Sequence, residues 1–282
     1  NHRRGGRAGG LASWAGLGYY RRARSLYACA RALVSEHQGA FPRSEAALKA
    51  LPGAGDYTAA AITSIAFGAP AVVVDGNIER VMARVFAIAA PLPGSKKDIK
   101  AAAALLSPEK RPGDYAQALM DLGALVCRPK AADCLHCPVR SYCDIQATGD
   151  PLALPVKAPK KAKKNVTGTI FVLLNEEGQV LCEDRPADGL FGGMLGLPGG
   201  GWDGRSTPSV SGSLQPAGSI THVLTHRKLH IDVMASKRIR DIGIAARGNQ
   251  QGQWLPVSEA ESRMPTLFKK ALTRGINSVD GE

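Results

Sequence analysis

The sequence predicts a multi-domain protein, an all-α domain followed by an α+β domain, and three observations carry that expectation. Through the first half, apolar residues recur at helical spacing, and beyond residue 165 they alternate as in strands. Between the halves, residues 148–165 read TGDPLALPVKAPKKAKKN, three prolines and five lysines with little to bury, as expected of an extended, charged linker. Within the first half, Leu51-Pro52-Gly53-Ala54-Gly55 has the composition of a tight turn between two helices. The boundaries that follow are a disordered start over residues 1–10, a helical domain over 11–147, the linker over 148–165 and the second domain over 166–282.

Taken in order, residues 1–10 are Gly and Arg with nothing to bury. From Leu11 to His37 the apolar spacing is helical, interrupted by Gly16-Leu17-Gly18-Tyr19-Tyr20, which sets two aromatics beside Arg21, Arg22 and Arg24. Ser44 is placed to cap a helix from Glu45 to Leu51. After the glycine turn a helix runs from Tyr57 to Phe67, and the amides of Gly53 to Asp56 stand at its N-terminus. They form either an anion site or a plain packing turn. A β-branched run then leads to Asp75, which precedes a helix over Ile78 to Phe86. Helices are expected over Asp98–Leu106 and Tyr115–Cys127. In the second half, Val166–Leu174 and Gln179–Arg185 read as strands joined at Glu176-Glu177-Gly178. Gly192 to Gly200 reads as loop, Ile220–Val233 as a pair of strands or one strand with a bend, Trp254–Val257 as a short strand and Pro265–Arg274 as a closing helix.

The totals narrow the function. A net charge of +12 and a pI near 9.6 favour a polyanionic partner. No apolar run reaches spanning length, so no membrane partner is expected, and the opening residues lack the apolar core of a secretory signal. Four of the six cysteines crowd between Cys127 and Cys143, which is a metal-site pattern and not a disulfide framework. The spacing Cys127-x6-Cys134-x2-Cys137-x5-Cys143 suits an iron–sulfur cluster or a tetrahedral zinc. Cys29 and Cys182 lie in apolar contexts, as small core residues do.

Three motifs in this order, LPGAG at Leu51–Gly55, VDGN at Val74–Asn77 and the four-cysteine loop, resemble the helix-hairpin-helix DNA glycosylases that carry a [4Fe–4S] cluster. The resemblance covers Trp14 to Cys143 and implies that cluster, with Cys127, Cys134, Cys137 and Cys143 as its ligands. Bifunctional members of that superfamily place a Schiff-base lysine two residues after the second hairpin glycine. Here Tyr57 stands there, followed by Thr58, and a phenol forms no imine. Tyr57 and the WAGLGYY run at Trp14–Tyr20 resemble the MutY family of adenine glycosylases. So do GLFGGMLGLPGG, the His222–His226 segment and PTLFKKAL, which are similar to that family's Nudix-like domain. That domain has no glutamate-rich hydrolase box here, and in the family it recognises 8-oxoguanine.

The resemblance implies a monofunctional glycosylase of base-excision repair, acting on double-stranded DNA with 8-oxoguanine·adenine or guanine·adenine mispairs. Asp75 corresponds to the catalytic carboxylate, and it is equally well placed as a helix N-cap. Tyr57 and Asn77 correspond to groups that orient Asp75 or touch the sugar. Leu51, Gly53 and Gly55 form the phosphate-binding hairpin, and Tyr19 corresponds to the wedge beside the mispair or to a core aromatic. Thr225 and His226 belong to the lesion-reading loop, where the family's Phe-Ser-His is Leu224-Thr225-His226. The family's general acid is a glutamate on a helix upstream of Trp14, and the chain opens at Asn1 without it. It is therefore read as an N-terminally incomplete member, expected to release adenine slowly or to act as a catalytically silent lesion-binding fragment. A monomer is expected, in the bacterial cytoplasm beside the nucleoid, or in an organelle or nucleus if eukaryotic.

Overall fold

The structure is a computed structural model that describes residue 14 and residues 19–159, 162–186, 188–208, 210, 213–237 and 252–280. The expected disordered start and the first turns from Leu11 lie outside the described residues. The chain divides into two compact units, residues 28–160 and residues 161–282 together with residues 1–27.

The first unit is helical. Helix α1 (Tyr20–Glu36) enters it with Ala32 and Leu33, which bury against Leu48, Leu51 and Ala59. Helix α2 (Glu45–Ala50) starts where Ser44 Oγ accepts a bond from the Ala47 amide at 3.3 Å, the cap its sequence calls for. Helix α3 (Asp56–Ala61) follows the glycine turn and does not run on as α-helix to Phe67; its last residues form a π-turn, Ile62–Ala66. Helix α4 (Gly76–Val85), α5 (Lys96–Leu106) and α6 (Pro112–Asp121) enclose a second core of Ile78, Val81, Met82, Ile99, Ala103, Ala116 and Leu122. Pro112 opens α6, where its missing N–H costs nothing. The helix therefore begins before Tyr115, and it gives way to another π-turn, Leu122–Val126, ahead of Cys127.

Two glycines account for how closely these turns pack. A Cβ on Gly113 would lie 2.6 Å from Ser64 O, and a Cβ on Gly123 would lie 2.7 Å from Asn77 Cβ. Only hydrogen at those positions lets α6 and its π-turn touch the backbone of the α3 π-turn and of Asn77.

Residues 148–165 are not simply an extended connector. After α7 (Asp144–Thr148), Pro151–Ala153 form a 3-10 turn and Leu154 is buried at 5% exposure. The Leu92 amide donates to Val156 O at 2.8 Å and the Ala158 amide donates to Leu92 O at 3.1 Å. Most of the segment is thus part of the helical unit. Composition reads only local tendency, and the partner at Leu92 lies far away in sequence.

The second unit has two sheets. Strands β1 (Lys164–Leu173), β2 (Gln179–Asp184), β3 (Leu195–Gly196), β4 (Gly199–Gly200), β5 (Gln215–Val223), β6 (Arg227–Ser236) and β7 (Gln253–Pro256) pair in the orders β4-β1-β6-β5 and β3-β2-β7. The Gly192–Gly200 stretch therefore contains two short strands as well as loop. Strands β1 and β6 run parallel, and the other pairs are antiparallel. Along β1, Ile170 and Val172 face one core while Phe171 and Leu173 face another, the period-2 alternation of a strand buried on both sides. After α8 (Val257–Arg263), helix α9 (Thr266–Asp280) buries Leu267, Phe268, Ala271 and Leu272 against the first of these cores.

Candidate active site and cysteine loop

The glycine turn is closed by the Ala54 amide donating to Leu51 O at 3.0 Å, with Leu51 buried and Gly53 at φ +81°. Gly55 caps α3 in extended conformation without a side-chain bond, so the first amides of α3 point outward unpaired by any cap. Lys49 and Asp56 form an ion pair across the turn, and its hydrogen bond holds the Asp56 carboxyl below its ordinary value. Tyr57 follows with 43% of its surface exposed.

Asp75 caps α4, as its sequence position allows. Its Oδ1 accepts from the amides of Asn77 at 2.9 Å and Ile78 at 2.7 Å, and its Oδ2 accepts from Asn77 Nδ2 at 3.1 Å. Both carboxylate oxygens are held, and the side chain is only half-buried. Asn77 is fixed in turn, because its Oδ1 accepts from Arg80 at 3.0 Å. Arg80 also donates to Cys127 O at 2.7 Å and to Gly123 O. Burial pulls its guanidinium below the usual arginine value, Asp75 acts on it at longer range, and among the described residues no carboxylate forms an ion pair with it. Among the described residues, Tyr57 makes no hydrogen bond to Asp75 or Asn77.

One turn further along α4, Arg84 is 1% exposed. It donates to Leu154 O at 3.0 Å, Arg128 O at 3.0 Å and Cys127 Sγ at 3.1 Å. The Cys143 thiol points at Arg84 O, 3.6 Å away. All four cysteines of the loop, with Val81, Arg84, Val85 and Val139, line one pocket. Burial pushes up the Cys143 thiol, and burial followed by the neighbouring thiols pushes up Cys134. Among the described residues, no group of three or more His, Cys, Asp or Glu side chains is drawn together to hold a metal ion as it stands. Four soft sulfur donors around one apolar pocket, with an arginine to balance thiolate charge, still form a chemically suitable set for a four-thiolate centre.

Arg80, Arg84 and Gly123 had not been singled out from sequence. The available signal was two arginines four residues apart on a helix whose remaining face, Ile78, Val81, Met82 and Ala83, is fully apolar. Buried arginines need acceptors, and here Cys127 and Arg128 of the cysteine loop supply some of them, with Gly76, Asn77, Gly123 and Leu154 supplying the rest.

In the second unit, Thr225 and His226 are exposed on the turn between β5 and β6. Leu224 packs against the sheet core, with its amide donating to Arg227 O at 2.8 Å. His222 is half-buried with its ring 6.0 Å from that of Phe191, and burial, then Lys270, lowers its pKa. Tyr19 is 78% exposed with φ +46°, which is the setting of a surface aromatic and not of a core one.

Comparison with known proteins agrees with both units. Residues 11–108 match the family model described as HhH-GPD superfamily base excision DNA repair protein, and residues 169–274 match the NUDIX domain. The human adenine DNA glycosylase is 34% identical over 283 aligned residues, covering 78% of this chain and 52% of that protein. The enzyme of the same name from Arabidopsis thaliana is 37% identical, covering 66% of this chain and 32% of the relative. That of Mycolicibacterium smegmatis is 41% identical, covering 59% and 57%. The chain thus spans about half the length, or less, of these relatives. With a helix-hairpin-helix domain, a Nudix domain and adenine DNA glycosylases as its relatives, the chain belongs to the MutY family.

Proposed function

We propose that this chain is a monofunctional DNA glycosylase of base-excision repair, removing adenine paired with 8-oxoguanine or guanine in duplex DNA. The observation that carries the reading is Asp75, held through both oxygens at the start of α4 by Asn77 and the Ile78 amide. Excision requires the adenosine nucleotide to be flipped out of the stack. As the bond from sugar to base lengthens, positive charge grows on the sugar, and a fixed carboxylate stabilises it without having to reorganise. Asn77 and Arg80 keep that carboxylate aimed. Tyr57, open to solvent at the start of α3, would contact the sugar and offers no amine for strand cleavage. Gly53 and Gly55 present backbone amides to a phosphate, which positions DNA without reading sequence. Exposed Tyr19 supplies the wedge, and Thr225 and His226 supply polar groups for 8-oxoguanine.

Cys127, Cys134, Cys137 and Cys143 would hold a [4Fe–4S] cluster. When bound, it ties the loop to α4 and supplies no chemistry to the sugar. Arg84 donates to the Cys127 sulfur from the same helix that Asp75 caps.

The test is release of free adenine from an 8-oxoguanine·adenine duplex. The unmodified chain is expected to release it slowly, and Asp75→Asn to slow release further, by on the order of a thousandfold, while DNA binding persists. Binding without release by the unmodified chain would instead assign it lesion recognition alone. Borohydride trapping is expected to yield no covalent adduct.

A further inference from the structure

The residues after α7 fold back over the cysteine loop. Gln146 and Pro151 line the same pocket as the four cysteines. Asp150 opens the 3-10 turn Pro151–Ala153 by accepting from the Leu152 amide at 2.8 Å. Leu154 is then buried, and its carbonyl accepts from Arg84 Nε at 3.0 Å. Beyond it the Leu92 amide donates to Val156 O and the Ala158 amide donates to Leu92 O, so that Leu92 and Lys157 form a parallel bridge. Leu92 itself is buried in the core that contains Ile78, Val81 and Met82. Residues 151–158 thus form a strap, fastened shortly before Lys160, where the helical unit ends.

Arg84 joins this strap to the cysteines. Almost wholly buried, the one guanidinium donates to Leu154 O, Arg128 O and Cys127 Sγ. A metal-bound thiolate accepts a hydrogen bond from a cation more strongly than a thiol does. Loading the four-cysteine pocket therefore fixes Arg84, and Arg84 fixes Leu154. We propose that residues 151–158 are a cofactor-gated strap, seated on the helical unit while the pocket holds its cluster and released when the cluster is lost. Seated, the connector to β1 starts at Ala158; released, it starts at Thr148, the end of α7. The freed residues 149–158 reach at most about 35 Å when extended. A longer, looser tether lowers the effective concentration of one unit at a duplex held by the other, so cofactor loading becomes a condition for binding with both units. The coupling is reciprocal, and a seated strap helps to retain the cluster.

The proposal rests on the reading of the four cysteines as [4Fe–4S] ligands, and the test follows iron and strap separately. The full, iron-loaded chain is challenged with a chelator, and loss of its brown absorbance is timed. Leu154→Ala and, independently, Ala158→Pro, which removes the amide donor to Leu92 O, are each expected to speed that loss about five- to tenfold. Leu48→Ala, an equal truncation in the separate core beside α1, should stay within about twofold of the unmodified chain. Hydrogen exchange reads the reverse direction. Removing iron from the unmodified chain should speed exchange at the Leu92 and Ala158 amides about tenfold, while the Leu48 amide, which donates to Ser44 O, keeps its rate. An unchanged rate of iron loss in both strap variants, or equal acceleration by Leu48→Ala, overturns the gated strap alone. Absence of iron from the unmodified chain on purification overturns the cluster reading and the gate together.

Discussion

Each unit buries arginine, and the two do so in opposite ways. In the second unit, Arg185 is paired with Asp203 at 2.6 Å, both side chains almost wholly buried, and Asp203 also accepts from Arg205. The Arg185 guanidinium lies 4.6 Å above the Trp202 ring and 5.5 Å from that of Phe268. Its charge is cancelled and its face is covered, although among the described residues its Nη1 and the Trp202 Nε1 are buried without hydrogen-bond partners. In the helical unit, Arg80 and Arg84 are equally hidden but reach only carbonyls, an amide oxygen and a thiol. A buried cation without an anion is costly. The pair is therefore better suited to a loop whose sulfurs carry negative charge, as four metal-bound thiolates do. One arginine is neutralised by a carboxylate, and the other two are held by neutral acceptors.

The largest way to test that contrast is Arg185→Met. It leaves Asp203 buried with Arg205 as its remaining partner, and it should destabilise the second unit by about 3 kcal/mol in chemical denaturation. Adding Asp203→Asn should recover part of the loss. If Arg185→Met has no effect, the claim that this unit is self-sufficient through charge pairing fails.

Arg84→Met strands the carbonyls of Leu154 and Arg128, a loss of about 2 kcal/mol. Unlike the first substitution, it should also lower iron per chain on purification by roughly tenfold, because it removes the donor at the Cys127 sulfur. Full iron content in that variant would erase the distinction between the two units.

A smaller effect separates them by pH. Burial alone would raise the Asp203 carboxyl, but its bonds to Arg185 and Arg205 bring it below the ordinary carboxylate value. A depressed folded value means stabilisation that is complete above the unfolded pKa of about 4 and is lost as pH falls through the folded one. Tryptophan fluorescence of a Trp14→Phe, Trp254→Phe variant, which keeps only Trp202 under Arg185, should therefore show the second unit loosening at acid pH. The contacts of Arg80 and Arg84 involve no carboxylate and should not follow the same curve.

What could be read from the chain varied with the range of the interaction. Ser44 and Asp75 are caps because their side chains reach amides two or three residues away, so position alone was enough. Helices from Glu45 to Leu106 and strands β1 and β2 followed from periodicity, since each has a face that must be buried. The Pro- and Lys-rich segment was read as connector because its partner, Leu92, is remote in sequence. The parallel pairing of β1 with β6 escaped for the same reason. The π-turns at Ile62–Ala66 and Leu122–Val126 were read as continuous helix, because their cause is the packing of another element against them.

The sequence by itself determined the helical and strand order, the caps, the glycine turn and the four-cysteine spacing, all of which depend on neighbours along the chain. The tertiary structure alone decided that α4 joins Asp75 to the cysteine loop through Asn77, Arg80 and Arg84. That decision rests on buried arginines, which accept no place in a core until folding brings distant carbonyls and sulfur within hydrogen-bonding reach.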